Sequence, residues 1–157
     1  MIQPWMVIAV VTVAIASLSG AMRPQDIRWF SRQRRPQWLT FERWIPAIWS
    51  VIFVAGAISA HEVWQAAPGQ TSTWARMGGY ALLELLVIAY SPVMFWLRNL
   101  WVGTFIGGIG WVWGLILTLW VGPVSTTAIA LLVPYLLWAP IGTITTWQMA
   151  KINRGRF

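Results

Sequence analysis

The sequence predicts an all-α integral membrane protein, a single domain over residues 1–157 built as a bundle of five transmembrane helices. Three observations carry that expectation. Hydrophobic residues make up 58% of the chain and charged residues only 10%, against roughly 25% charged in soluble domains. Five apolar runs reach the ~20 residues that a helix needs to cross a bilayer. Ten of the eleven basic residues fall on one side of the membrane if all five runs span it.

The first run, residues 4–22, follows Met1–Gln3, which carries no basic side chain. It is long enough to span, so it reads as a helix rather than a cleaved signal. A polar, arginine-rich loop follows over residues 23–43. The second run covers 44–65 and ends in a turn containing Pro68-Gly69. The third covers 74–97, the fourth 100–121 and the fifth 124–150, with Arg98-Asn99 and Gly122-Pro123 between them. None of the runs alternates as a barrel strand would. No internal repeat is evident, and an odd number of spans disfavours two inverted halves.

The charges orient the bundle. The first loop, the third loop and the C-terminal tail hold Arg23, Arg28, Arg32, Arg34, Arg35, Arg43, Arg98, Lys151, Arg154 and Arg156, and the other side holds only Arg76. The positive-inside rule then puts the N-terminus outside and the C-terminus in the cytoplasm, in a membrane such as the bacterial inner membrane. The net charge of +7 is thereby orientational and gives no reason to expect a nucleic-acid partner. There are no cysteines and a single histidine, His61, so thiolate chemistry and protein-only metal clusters are excluded. No metal site is expected. His61 has the chemistry to ligate a tetrapyrrole's metal, with simple hydration near the membrane surface as the alternative.

Packing in lipid depends on close backbone approach. Gly103, Gly107, Gly110 and Gly114 form one stripe on the fourth span. Ala55 with Ser59, Gly56 with Ala60, and Ala16 with Gly20 repeat the small-residue spacing. Packing within the bundle is the leading reading of the stripe, and a contact surface for another chain is the alternative. Prolines inside spans free carbonyls: Pro92 that of Ile88, Pro134 that of Ala130 and Pro140 that of Leu136. Glu84 lies deep in the third span, where carboxyls mark polar contacts or function. Glu62 and Arg76 are expected to pair at the outer end.

Fourteen tryptophans exceed what the two interfacial belts can use. Trp5, Trp44, Trp64, Trp74, Trp96, Trp101, Trp120 and Trp147 fall near span ends, and Trp29 and Trp38 fall in the basic loop. Trp49, Trp111, Trp113 and Trp138 remain, and an indole N–H at depth needs an acceptor. Trp111 and Trp113 are two apart and point to different faces. Tyr135 and Trp138 are three apart and share one.

Arg28-Trp29-Phe30, Arg35-Pro36-Gln37-Trp38 and Pro46-Ala47-Ile48-Trp49 resemble the first-loop signature of the TspO/MBR family of tryptophan-rich sensory proteins and translocator proteins. Leu131-Leu132-Val133-Pro134-Tyr135-Leu136-Leu137-Trp138 is similar to that family's fifth-span motif. The resemblance covers the whole chain and implies a five-helix bundle, often a homodimer, with a pocket capped by the first loop. It implies tetrapyrroles such as porphyrin, and sterol-like small molecules, as ligands, and no required cofactor. Matched to the motifs, Phe30, Trp38, Trp49, Phe53, Tyr135 and Trp138 are the expected ligand contacts. Arg34, Arg35 and Arg43 are candidates for pairing a porphyrin's propionates, by the geometry of guanidinium with carboxylate. The sequence departs from the family where Thr40-Phe41 replaces Pro-Pro, where Val87 and Thr146 stand in place of asparagines, and in a fourth span without an acid.

These residues lead to a membrane receptor or sensor that binds a planar apolar ligand against aromatic walls. A transporter of such ligands is the first alternative, and a structural subunit that docks through the glycine stripe is the second. No nucleophile–base pair or phosphate-binding loop is present, so an enzyme is not expected. Porphyrin photo-oxidation on Trp49 and Trp138 enters through the resemblance alone.

Overall fold

A computed structural model describes residues 3–17 and 22–154. The described residues form helices joined by short turns, with no strand among them. Helix α1 runs Pro4–Ser17, α2 Pro24–Ser31, α3 Ile45–Ala66, α4 Thr71–Trp96, α5 Leu100–Val121 and α6 Thr126–Ile152; a 3-10 turn at Glu42–Trp44 leads into α3. Four of these, α3 to α6, are long and apolar enough to cross a membrane. The chain is therefore a multi-pass membrane protein. The fourth expected span matches α5 end to end, and the second, third and fifth shift by one to three residues.

The first expected span differs most. Its described part, α1, has 14 residues and rises about 21 Å at the usual helical pitch, less than the ~30 Å hydrocarbon core. The rest of that span, with Gly20 of the expected Ala16–Gly20 pair, lies outside the described residues. The first loop also differs from expectation, because it contains α2. Pro24 at its first turn suits a helix start, and the acid in that turn, Asp26, is 5% exposed. Asp26 accepts from Arg98 at 3.2 Å, which ties α2 to the α4–α5 turn.

That turn is sharp. Asn99 N–H donates to the Met94 carbonyl and Arg98 N–H to the Phe95 carbonyl, both at 3.1 Å. This is the Schellman closure, which puts the intervening residue in the left-handed region where glycine is usual. Here the residue is Arg98, at φ 47°. Asn99 then caps α5 by accepting from Trp101 N–H at 2.9 Å.

The glycine stripe of α5 is filled by the chain's own side chains. A Cβ at Gly114 would collide with the Tyr135 ring, one at Gly107 with Thr143 at 2.5 Å, and one at Gly103 with the Met94 sulfur. The stripe is thus the groove that lets α4 and α6 close on α5. It is not an open contact surface, which removes the feature on which the structural-subunit reading rested. The outward face of α5 instead carries exposed Phe105, Ile109, Val112, Ile116 and Leu119, apolar side chains that suit lipid.

The core between α3, α4 and α6 is pinned by one polar knot. Ser59 is fully buried. Its hydroxyl donates to the Ala128 carbonyl at 2.9 Å and shares a 2.6 Å hydrogen bond with the Tyr80 hydroxyl. The Glu62–Arg76 pair does not form. Arg76 instead lies with its guanidinium carbon 6.0 Å from the Trp120 ring centroid, a cation–π distance. The ion pairs among the described residues are Arg35–Glu42 and Arg98–Asp26.

Candidate functional site, an aromatic cavity under the first loop

The two deep tryptophans of α5 are spent on structure. Trp111 Nε1 donates to the Leu136 carbonyl at 3.1 Å, the carbonyl that Pro140 frees. Trp113 Nε1 donates to the Gly79 carbonyl at 2.9 Å. One indole thus fastens α5 to α6 and the other fastens it to α4, as their two-residue spacing requires. Each N–H is paired, so each indole is buried at little polar cost.

The deep tryptophan of α6 is different. Trp138 Nε1 is buried and has no partner. The ring borders a cavity of about 470 Å³ enclosed by α3, α4, α5, α6 and the first loop. That volume lies within the ~300–1,000 Å³ range of small-molecule sites. Trp49 and Phe53 of α3 form its opposite wall, with ring centroids 6.1 Å apart. Tyr135 joins them, 6.5 Å from Trp49. Tyr90, which hydrogen-bonds Thr146 of α6, and Thr143 supply polar atoms on the remaining side. Gly107 and Gly110 of α5 border the cavity as well, which lets Tyr90, Thr143 and Tyr135 pack against the α5 backbone.

The first loop closes the end of this cavity. Phe30 stacks on Phe95 at 4.5 Å and borders the space. Leu39 and Phe41 border it as well, and the Phe41 ring meets Trp138 edge-on at 5.9 Å. Phe41 stands where the family motif has proline, so an aromatic wedge replaces a rigid turn in the lid. Three polar ties hold the lid. Asn153 pairs with the Arg34 backbone in both directions, accepting from its N–H at 3.0 Å and donating to its carbonyl at 3.1 Å. Trp38 Nε1 donates to Gln148 of α6 at 2.6 Å. Arg35 donates to the carbonyls of Phe30, Ser31 and Gln33 and pairs with Glu42.

Of the expected contacts, Phe30, Trp49, Phe53, Tyr135 and Trp138 come together around the one cavity. Trp38 does not border it. It is 41% exposed and stands behind Phe41, 6.2 Å ring to ring. Arg34, Arg35 and Arg43 are not among the lining residues either. The Arg35 side chain is consumed in folding the loop, and Arg43 lies over the Trp44 ring at 5.5 Å. Sequence reasoning missed Phe41, Leu39, Tyr90 and Thr143 as lining residues. The signal for Phe41 was its place directly after the loop motif, an aromatic where the motif turns.

A multi-pass helical protein with an aromatic-walled cavity capped by its first loop is the class that this arrangement defines. The model of the TspO/MBR family matches residues 6–152, and the chain belongs to that family. Among its relatives are the uncharacterized membrane protein YtaB of Bacillus subtilis, 27% identical with 92% of each chain covered, and the tryptophan-rich protein TspO of Bacillus cereus, 25% identical over 90% of this chain and 92% of that one. The translocator protein of Ovis aries is 28% identical over 99% of this chain and 95% of its own length.

Proposed function

We propose that the protein is a membrane receptor for a planar apolar ligand of the tetrapyrrole class, held in the loop-capped cavity. The observation that carries this reading is the unpaired Trp138 indole at the cavity wall. A buried N–H without an acceptor costs about 1–3 kcal/mol, and a ligand nitrogen or oxygen would recover it once the ring turns Nε1 toward the cavity. The flat rings of Trp49, Phe53 and Tyr135 suit stacking. Arg35 is committed within the loop, which leaves Arg34 and Arg43 as the candidates for ligand carboxylates. Membership of a family that includes proteins named for tryptophan richness and for translocation supports a sensing or translocating role.

We further infer that α1 belongs to a fifth span, with the basic loop end of the bundle facing the cytoplasm. The loop, the α4–α5 turn and the end of α6 touch one another through Asp26–Arg98 and Arg34–Asn153. Their positive charges therefore share one end, and the positive-inside rule orients it.

The test is titration of the detergent-solubilised protein with protoporphyrin IX, followed by tryptophan fluorescence. Saturable quenching is expected, with affinity about tenfold weaker in Trp138→Phe, the equivalent of one lost hydrogen bond. Quenching that never saturates, or an unchanged affinity in Trp138→Phe, overturns the assignment.

A further inference from the structure

The inner end of the aromatic cavity lies away from the first loop. Phe53 of α3, Leu86 of α4, Gly110 of α5 and Tyr135 of α6 are the lining residues farthest along their helices from that loop. Tyr135 is 4% exposed. Its ring is held against bare backbone, where a Cβ at Gly114 would strike Cε1 and one at Gly110 would lie 3.1 Å from the hydroxyl oxygen. Packing therefore fixes the Tyr135 hydroxyl at the inner end, beside Gly110.

The polar groups around the cavity divide into spent and free. Thr143, Thr145 and Thr146 donate their hydroxyl hydrogens to carbonyls one turn back on α6, and Tyr90 is joined to Thr146. Glu42, at the loop end, pairs with Arg35. The Tyr135 hydroxyl has no hydrogen-bond partner among the described residues, and unlike Trp138 Nε1 it keeps open surface. Ser91 also lines the cavity with a free hydroxyl. It lies five residues beyond Leu86, about 7.5 Å nearer the loop. Tyr135 thus supplies the free hydroxyl of the inner end. No arginine, lysine or histidine is among the lining residues, so a carboxylate buried there would find no countercharge.

We propose that Tyr135 is a specificity-determining residue, whose hydroxyl selects tetrapyrroles bearing a neutral carbonyl oxygen on the edge opposite their carboxylates. The proposal rests on the tetrapyrrole-receptor reading of the same cavity. The two ends of the cavity set the ligand's orientation. Carboxylates stay at the loop end, where the arginines are, and the opposite edge goes inward to the phenol. There the phenolic O–H donates and a carbonyl oxygen accepts. A hydrocarbon edge in the same place leaves the hydroxyl unpaired, which is how a buried polar group rejects an analogue lacking its partner. The ring is already held on the α5 backbone, so little is ordered when the bond forms.

The experiment compares protoporphyrin IX with the analogue in which one vinyl group is replaced by a formyl group, a change of CH2 to oxygen at nearly constant shape. Each is titrated into the detergent-solubilised full chain and followed by tryptophan fluorescence. The formyl compound is expected to bind about five- to tenfold more tightly, the equivalent of one hydrogen bond. In Tyr135→Phe that preference should vanish or reverse, because the formyl oxygen then leaves water for a site without a donor. Protoporphyrin affinity should stay within about twofold. This variant forfeits no protein hydrogen bond and keeps its ring on Gly114, so it should fold. The infrared C=O stretch of the bound formyl group should lie lower in wild type than in Tyr135→Phe, the mark of a donated hydrogen bond. Equal affinity of wild type for the two porphyrins, or a preference and C=O stretch unchanged in Tyr135→Phe, overturns the role of Tyr135 and leaves the receptor reading standing. Saturable binding of neither porphyrin overturns both.

Discussion

The seam between α5 and α6 and the cavity beside it share a wall, yet they treat their tryptophans in opposite ways. In the seam, Trp111 gives its N–H to the carbonyl that Pro140 leaves free, and the glycines of α5 admit Tyr135 against bare backbone. Around the cavity, Trp138 is one helical turn from Tyr135 and its N–H is given to nothing. Both regions are buried and aromatic. The difference lies in whether the polar atoms are satisfied from within the chain. A satisfied indole is a fastener, and an unsatisfied one beside empty space is a place for something else.

The seam should break most severely. Gly114→Leu forces a side chain into the Tyr135 ring and should cost roughly 3 kcal/mol or more, visible as loss of folded protein after extraction or a large fall in Tm. If Gly114→Leu is as stable as wild type, the seam is looser than described. Next, Trp111→Phe should destabilise by about 2 kcal/mol, because it strands the Leu136 carbonyl in the bundle, while leaving protoporphyrin affinity within about twofold. Trp138→Phe should do the reverse, with little or no loss of stability because relief of the unpaired N–H offsets the smaller ring, and affinity reduced. Matching stability losses in the two variants would erase the distinction between seam and cavity.

Smaller effects sharpen the account of the lid. Asp26→Asn weakens the tie to Arg98, whose side chain is half exposed, so the loss should be about 1 kcal/mol or less. It should show as faster proteolysis of the loop and faster ligand release, with little change in Tm. Arg98→Gly tests the same tie from the other side. Glycine relieves a left-handed residue that costs about 1 kcal/mol, which offsets part of the cost of leaving the buried Asp26 carboxylate without its partner. A stability change beyond about 1 kcal/mol in Arg98→Gly would mean that the turn depends on the pair far more than its exposure suggests.

Four of the spans were legible because a bilayer imposes a length and a composition that a sequence displays directly. The cavity walls were legible at Trp49, Phe53, Tyr135 and Trp138, since short motifs fix them on two helices. Matching donor to acceptor was not. Both halves of the Trp111–Leu136 bond stood in the sequence, one as an indole that needs an acceptor and the other as a carbonyl freed by Pro140. Joining them requires the rotation of α5 against α6, which composition does not encode. Helix α2 carried readable signals in Pro24 and Asp26, but a basic loop obscured them. The fate of Arg35 was unreadable for another reason. Its charge was visible, whereas the three loop carbonyls that capture it converge only once the loop is folded.

The lid is made early in the chain and fastened late. Asn153 and Gln148 grip Arg34 and Trp38 across 119 and 110 residues of sequence. During synthesis the loop therefore exists long before its clasp does. The cavity can close only after the final helix has been threaded into the bundle. A chain stopped short of residue 148 would carry every aromatic wall of the site and neither of the two late fastenings of its lid.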